Sequence, residues 1–117
     1  MKILIVDDDQ NILLLYKEDM EEEGYKVIVA NTGKEALRLF EEENPDMVSL
    51  DISMPDIDGI QLLRLMKEKR PHLPIIMITA YDYRDNFAVW ASDAYITKSS
   101  DTAEFKETIK SLLPQDN

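Results

Sequence analysis

Residues 3–9 read Ile-Leu-Ile-Val-Asp-Asp-Asp, four consecutive apolar side chains followed at once by three acids. A short continuous apolar run is typical of a strand that is covered on both faces, as in a parallel sheet between two layers of helices. Further apolar runs follow along the chain, the last of them weaker, at 25–30, 47–50, 75–79 and 94–97. The pattern predicts a buried central sheet of five strands.

Segments of helical length separate the apolar runs and follow the last one. Apolar side chains at three- and four-residue spacing, acidic or hydroxyl caps and terminating Gly or Pro residues mark where helices begin and end. In chain order, the signals are the periodicity of Gln10–Glu23, the capping box of Thr32 and Glu35, the Asp58-Gly59 pair, the stretch 83–91 and the cap Asp101. Alternating strands and helices with right-handed crossovers predict an α/β fold, a doubly wound parallel sheet in strand order 2-1-3-4-5 with helices on both faces.

Length and composition narrow the class of protein. The 117 residues suffice for one domain, and 13 Lys and Arg against 24 Asp and Glu give a formal net charge of −11, which argues against direct nucleic-acid binding. The chain has no Cys and a single histidine, His72, which excludes disulfides, thiolate metal sites and multi-His centres. Because no signal-peptide pattern and no run of about 18 apolar residues is present, we expect a cytoplasmic protein without membrane contact.

Chemically useful side chains follow four of the five predicted strands. Asp7, Asp8 and Asp9 follow the first strand, Asp51 the third and Lys98 the fifth, and the fourth ends at Thr79. Ligands of open parallel sheets bind at the carboxyl ends of the strands, and the order 2-1-3-4-5 makes these four strands contiguous. The sequence therefore predicts one rim that carries acids, a hydroxyl and an amine.

Such a cluster of carboxylates requires a cation, because like charges a few ångströms apart repel each other. Mg²⁺ prefers oxygen ligands, and the rim offers neither His nor Cys to favour zinc or copper. An anionic substrate that uses a metal, an ammonium group and a hydroxyl together matches a phosphoryl group in transfer, and a carboxylate can itself be the nucleophile. We therefore expect Mg²⁺ as the cofactor.

Four segments in order, 3–9, 50–59, 78–80 and 93–98, resemble the response-regulator receiver domain of two-component signalling. Each segment alone is weak evidence, whereas four in order over essentially the whole chain are specific. The resemblance implies a flavodoxin-like, CheY-like fold and a receiver domain over residues 1–117, which we expect to be a stand-alone, phospho-accepting signalling domain rather than an enzyme.

The resemblance also implies the metal site. Asp51 corresponds to the phosphorylated residue of the family, and Asp8 to a direct ligand of Mg²⁺. Asp7 would bind the ion through water, and the Asp51 carboxylate with the backbone carbonyl of Ser53 would complete the protein ligands.

Three further residues take roles from the resemblance. Lys98 would contact the phosphoryl oxygens, Thr79 would donate its hydroxyl to one of them, and Tyr95 would rotate as the switch aromatic. The implied phosphoryl donor is a sensor histidine kinase, and the downstream protein target is not identified by the sequence. We expect a monomer, and a phosphorylation-dependent dimer stays open.

Two features depart from the family. Thr79 and Lys98 are about three residues closer in sequence than in typical receivers, close to one helical turn, which predicts a shortened helix over 83–91. Lys98 is followed by Ser99, where the family usually has a proline after a cis peptide bond, so the isomer of this bond stays open.

Other interpretations compete with the receiver. A Mg²⁺-dependent phosphatase of the haloacid-dehalogenase type would use Asp7 and Asp9 as its Asp-x-Asp pair, and a pseudo-receiver would keep the fold without phosphorylation. Within the receiver interpretation, Asp9 is predicted to cap the first helix rather than to bind metal. Asp56 and Asp58 are predicted to shape the turn into the third helix and its N-terminus.

Overall fold

The computed structural model describes residues 1–52, 54, 56–79, 92–98 and 102–113. The strands are β1 Lys2–Val6, β2 Lys26–Ala30, β3 Met47–Asp51, β4 Ile75–Thr79 and β5 Ala94–Thr97. The helices in the described ranges are α1 Gln10–Glu22, α2 Gly33–Glu43, α3 Gly59–Lys69 and α4 Ala103–Leu112. The predicted helix over 83–91 lies outside the described residues. None of the described helices is long and apolar enough to cross a membrane.

The five strands form one parallel sheet in the order β2-β1-β3-β4-β5, which confirms the predicted fold class and strand order. Val6 lies beside Leu50 in the β1–β3 pair, and Thr79 lies beside Thr97 in the β4–β5 pair. Because the strands are parallel, the residues that follow them lie at the same edge of the sheet.

Helices cover both faces of the sheet, and the strands divide their side chains between two apolar clusters. Leu4 and Val6 of β1 belong to the cluster beneath α2 and α3, whereas Ile3 and Ile5 belong to the cluster beneath α1 and α4. Every residue of β3 and β4 is buried. This two-sided burial explains why the strands appear in the sequence as continuous apolar runs.

The N-cap positions of α1 and α4 can be compared with the predicted caps Asp9 and Asp101. Asp9 is the N-cap of α1, and its carboxylate accepts hydrogen bonds from the backbone N–H groups of Asn11 and Ile12, so the predicted cap is confirmed. The predicted cap Asp101 lies outside the described residues, and the N-cap position of α4 is Thr102. Thr102 makes no side-chain cap bond to α4 and instead donates its hydroxyl to the Asp19 carboxylate of α1.

Asp56 and Asp58 cap different helices. Asp58 accepts a hydrogen bond from the Ile60 N–H and caps α3, as predicted. The carboxylate of Asp56 instead accepts hydrogen bonds from Gly33 N at 2.8 Å and Lys34 N at 3.0 Å, the first amides of α2. Asp56 thus lies in the turn that leads into α3, where it was predicted, and it also makes a contact that was not predicted, to a helix that is distant in sequence.

The cap at Asp56 predicts a pH dependence. Hydrogen bonds from the backbone of Gly33 and Lys34 lower the pKa of Asp56, so the charged carboxylate stabilises the fold above its unfolded pKa of about 3.9, and this contribution is lost as the pH falls through the lower folded pKa. We expect wild type to be more stable than Asp56→Ala at pH 7 and the difference to shrink below about pH 4. Urea unfolding across this range measures it, and a difference that is constant with pH contradicts it.

Candidate functional site

The carboxyl edge of the sheet brings together side chains from three strands. Asp7 follows β1, Asp51 is the last residue of β3, and Lys98 follows β5. Backbone hydrogen bonds hold these positions, because Asp7 N donates to Ala30 O and Lys98 N donates to Thr79 O at 2.7 Å. The three side chains are thus placed by the sheet itself rather than by free loops.

The ammonium group of Lys98 lies between two buried carboxylates. Its Nζ is 2.9 Å from Asp7 Oδ2 and 3.0 Å from Asp51 Oδ2. Asp7 and Asp51 are only 3% and 2% exposed, and the Lys98 side chain is 17% exposed. The cation that the clustered acids require is therefore supplied in part by the chain itself, whereas sequence reasoning invoked only a divalent ion for this purpose.

Burial and charge shift the proton equilibria at this edge. Burial raises the pKa of Asp7 to about 6, against the opposing effects of the hydrogen bond from Asp9 N and of Lys98. Burial by itself would lower the pKa of Lys98, but its hydrogen bonds and attraction to Asp7 and Asp51 together raise it. Lys98 consequently stays protonated at neutral pH, while Asp7 titrates close to the physiological range.

Asp8 completes a group of three acids. Carboxylate oxygens of Asp7, Asp8 and Asp51 all lie within 4.8 Å of one another, with Asp8 exposed to solvent and the other two buried. Oxygen-only donors with an open side suit Mg²⁺, which keeps several waters when it binds to one or two carboxylates. The residues present therefore fit a magnesium ion, as the sequence predicted.

The remaining predicted residues lie around this group. Thr79 is fully buried at the end of β4, which pairs with β3 and β5. Tyr95 is half-buried on β5 and packs against the cluster beneath α2 and α3. Ser53 and the bond to Ser99 involve residues outside the described ranges, so neither the carbonyl ligand nor the peptide isomer is tested.

Sequence reasoning missed the close approach of Gly59 to the end of β3. A Cβ at this position would lie 2.1 Å from the backbone oxygen of Asp51 and 2.7 Å from Ile52 Cα. Gly59 N also donates a hydrogen bond to Ile52 O at 2.9 Å. A glycine permits such a close approach, but the sequence gives no signal that identifies Asp51 and Ile52 as the neighbours.

Comparison with known proteins agrees with this geometry. The family model of the response regulator receiver domain matches residues 3–110. The chain belongs to this family. It is therefore the receiver domain of a two-component response regulator, and the resemblance drawn from the four sequence segments is confirmed.

Relatives of two lengths are similar to this receiver domain. It is 36% identical over 115 residues to the alkaline phosphatase synthesis transcriptional regulatory protein PhoP of Bacillus subtilis, covering 96% of this chain and 48% of PhoP. It is 33% identical over 116 residues to the polar-differentiation response regulator DivK of Brucella ovis, covering 95% of this chain and 94% of DivK. The chain thus spans about half the length of PhoP and nearly the whole length of DivK.

Solved structures share the fold of the receiver domain closely. The response regulator TrrA of Thermotoga maritima, in complex with Mg²⁺-BeF, is 44% identical and superposes with a TM-score of 0.92, covering 96% of this chain and 98% of TrrA. TrrA in complex with the histidine kinase ThkA superposes with a TM-score of 0.90 at 44% identity, covering 97% of this chain and 98% of TrrA.

Proposed function

We propose that Asp51 accepts a phosphoryl group from a sensor histidine kinase in a Mg²⁺-dependent reaction, and that phosphorylation switches a protein-interaction surface. The observation that carries the proposal is the Asp51 carboxylate at the edge of the sheet, 3.0 Å from the Lys98 ammonium group and within 4.8 Å of the oxygens of Asp7 and Asp8. A nucleophile, a fixed cation and a set of metal-binding oxygens are the elements of phosphoryl transfer.

The step at Asp51 is a displacement at phosphorus. A carboxylate oxygen forms a bond to phosphorus as the bond between phosphorus and the donor histidine nitrogen breaks, and the electron pair leaves with the imidazole. The product is an aspartyl phosphate, with about 1.5 to 2 negative charges in place of one. The neighbouring groups must therefore stabilise additional negative charge.

Lys98 meets this demand because its ammonium group already lies beside the Asp51 carboxylate. A compact, protonated ammonium can contact the oxygens of the incoming group after a small movement away from Asp7. Thr79, at the end of the adjacent strand, donates its hydroxyl to another of these oxygens. The pair therefore stabilises the phosphoryl group and responds to its arrival.

The metal ligands in this proposal are Asp8 and Asp51 directly, Asp7 through water, and the backbone carbonyl of Ser53. When bound by these residues, Mg²⁺ would supply positive charge that offsets the negative charge of the transferring group. The TrrA complex with Mg²⁺-BeF supports this part of the proposal, since that receiver is 44% identical.

The readout in this proposal runs through Tyr95. Movement of Thr79 toward the phosphoryl group leaves space that the Tyr95 ring fills, which changes the surface near β5. A sensor histidine kinase is the donor, and the TrrA complex with ThkA supports a partner of this kind. On this proposal the domain is cytoplasmic, monomeric before phosphorylation, and a signalling switch rather than an enzyme with an external substrate.

Intact mass after incubation with acetyl phosphate tests the proposal. We expect wild type to gain one phosphoryl group only when Mg²⁺ is present, and the adduct to be stable in acid and labile in base. Asp51→Asn is expected to gain none, because an amide does not replace the carboxylate nucleophile. Thermal unfolding of both proteins is the control that the variant remains folded.

Two further measurements, phosphate release and the binding of Mg²⁺ and beryllofluoride, separate the competing functions. Continuous release of phosphate from small phosphomonoesters would favour the phosphatase, although its second acid, Asp9, already caps α1 through hydrogen bonds to two backbone amides. A folded wild type that forms no adduct and binds neither Mg²⁺ nor beryllofluoride would instead favour the pseudo-receiver.

A further inference from the structure

Two hydrogen bonds hold the start of α3 where the chain returns from the end of β3. Gly59 N donates to Ile52 O at 2.9 Å, and Asp58 caps α3 through the Ile60 N–H. This segment, which connects Ile52 to Gly59 and is called here the acceptor loop, includes Ser53, whose carbonyl the proposed function gives to Mg²⁺. Its path therefore bears directly on the metal site.

The acceptor loop is also held at Asp56, between its two ends, by contacts with a different helix. Both carboxylate oxygens of Asp56 accept hydrogen bonds from α2, one from Gly33 N at 2.8 Å and the other from Lys34 N at 3.0 Å. These amides lie at the positive end of the helix dipole, which favours a negative partner. The contact joins residues that are 23 and 22 positions apart in sequence, so it restricts the loop rather than only its own turn.

A second contact reinforces this attachment. Ile57 packs against the cluster beneath α2 and α3, and a Cβ on Gly33 would lie 1.6 Å from Ile57 Cγ2. The loop and the first turn of α2 thus approach each other so closely that any side chain at position 33 would force Ile57 to move. Asp56 and Ile57 together hold the loop against the helix.

We propose that Asp56 is a positioning residue of the metal site, which holds the acceptor loop on the N-terminus of α2 and so restricts the chain between Asp51 and α3. The inference rests on the proposed function for the identity of the ligand, Mg²⁺. Asp56 itself does not contact the ion in this proposal. It acts through the loop, as partners of metal ligands commonly do.

Thr32 provides a matched control, because it caps the same helix through a hydrogen bond within the first turn of that helix. Its hydroxyl accepts a hydrogen bond from Glu35 N at 3.1 Å. Thr32→Ala and Asp56→Ala therefore both remove a cap from α2, but only Asp56→Ala releases the acceptor loop. If Asp56 served helix stability alone, the two variants would have the same consequences at the metal site.

The test measures Mg²⁺ affinity by calorimetry and, in the metal-free protein, the exchange rate of the Gly59 amide hydrogen. We expect Asp56→Ala to bind Mg²⁺ about tenfold more weakly than wild type, the lower end of the effect of removing a ligand's supporting partner. We also expect faster exchange at Gly59, whose N–H closes the loop. Thr32→Ala is expected to leave both quantities within about twofold of wild type, although it destabilises the fold.

Asp56→Glu separates position from charge, because it keeps the negative charge but moves the carboxylate. We expect it to weaken Mg²⁺ binding as alanine does; binding at the wild-type level would assign the effect of Asp56→Ala to charge and overturn the inference. Equal effects of Asp56→Ala and Thr32→Ala, or unchanged affinity in Asp56→Ala, would overturn it as well. If Asp56→Ala does not fold, Asp56→Glu decides.

Failure of this inference differs from failure of the proposed function. Wild type that binds Mg²⁺, with Asp56 variants that bind equally well, removes only the positioning role. Wild type that binds no Mg²⁺ overturns the proposed function and the metal-directed role of Asp56 together.

Discussion

Replacing Lys98 by methionine is expected to destabilise the metal-free protein by about 3–5 kcal/mol near neutral pH. The ammonium group lies within 3.0 Å of oxygens of both Asp7 and Asp51, and both acids are almost fully buried. Removing one partner of such a group leaves the remaining charges uncompensated, while methionine keeps most of the apolar stem of the lysine. Urea unfolding in the presence of a chelator measures the loss.

The loss of stability in Lys98→Met should increase as the pH rises. Burial already raises the pKa of Asp7 to about 6, and the variant lacks the lysine that opposes this rise, so the pKa increases further. An acid whose folded pKa is raised contributes stability below its unfolded pKa, and that contribution is lost as the pH rises through the folded value. The stability of the variant should therefore approach that of wild type at about pH 4, and the two stabilities should differ most above about pH 7.

An exposed lysine serves as the control. Lys69 pairs with Glu41, and both side chains are more than half exposed, so Lys69→Met should change stability by less than about 1 kcal/mol.

In the presence of Mg²⁺, phosphoryl transfer to Asp51 in Lys98→Met should be slower by about 100-fold or more, the effect of removing one donor to a developing charge. A Lys98→Met protein as stable as wild type at both ends of the pH range would show that the two carboxylates do not depend on this cation.

The location of the site was predictable because the ends of the apolar runs mark the ends of β1 and β3 to within one residue. Val6 is followed by Asp7, and Leu50 is followed by Asp51, so the change from apolar to acidic residues marks the edge of the sheet. The parallel topology then brings these positions together, and it follows from the alternation of strands and helices alone. Local patterns were sufficient here because the site is built on strand ends.

The contacts of Asp56 and Thr102 were not predictable by the same reasoning. Asp56 was predicted to shape the turn into α3, and its carboxylate also reaches the first amides of α2. Thr102 occupies the cap position of α4 and gives its hydroxyl to Asp19 on α1. In both cases a tertiary hydrogen bond replaces the local one, and a single sequence contains no signal for which distant donor or acceptor lies nearby.

Replacing Gly59 by alanine is expected to lower the free energy of unfolding by about 3 kcal/mol, the upper end of the usual cost of overpacking. The added Cβ would lie 2.1 Å from Asp51 O and 2.7 Å from Ile52 Cα, and backbone atoms cannot rotate away as a side chain can. Either α3 or the end of β3 must shift, and the hydrogen bond from Gly59 N to Ile52 O is then strained or lost. Urea unfolding of wild type and variant measures this change.

The same shift should affect phosphorylation, because the displaced backbone carries Asp51, the proposed acceptor. A displacement of about 1 Å at a reacting group can slow a reaction by about 100-fold, so Gly59→Ala should be phosphorylated slowly by acetyl phosphate even where it remains folded. Gly24→Ala is the control: a Cβ there would meet no atom within 4 Å, but the φ of 95° disfavours any residue with a Cβ, so about 1–2 kcal/mol of stability should be lost without an effect on phosphorylation. If Gly59→Ala lost no more stability than Gly24→Ala and accepted phosphate at the wild-type rate, the packing of α3 against the end of β3 would not control the position of Asp51.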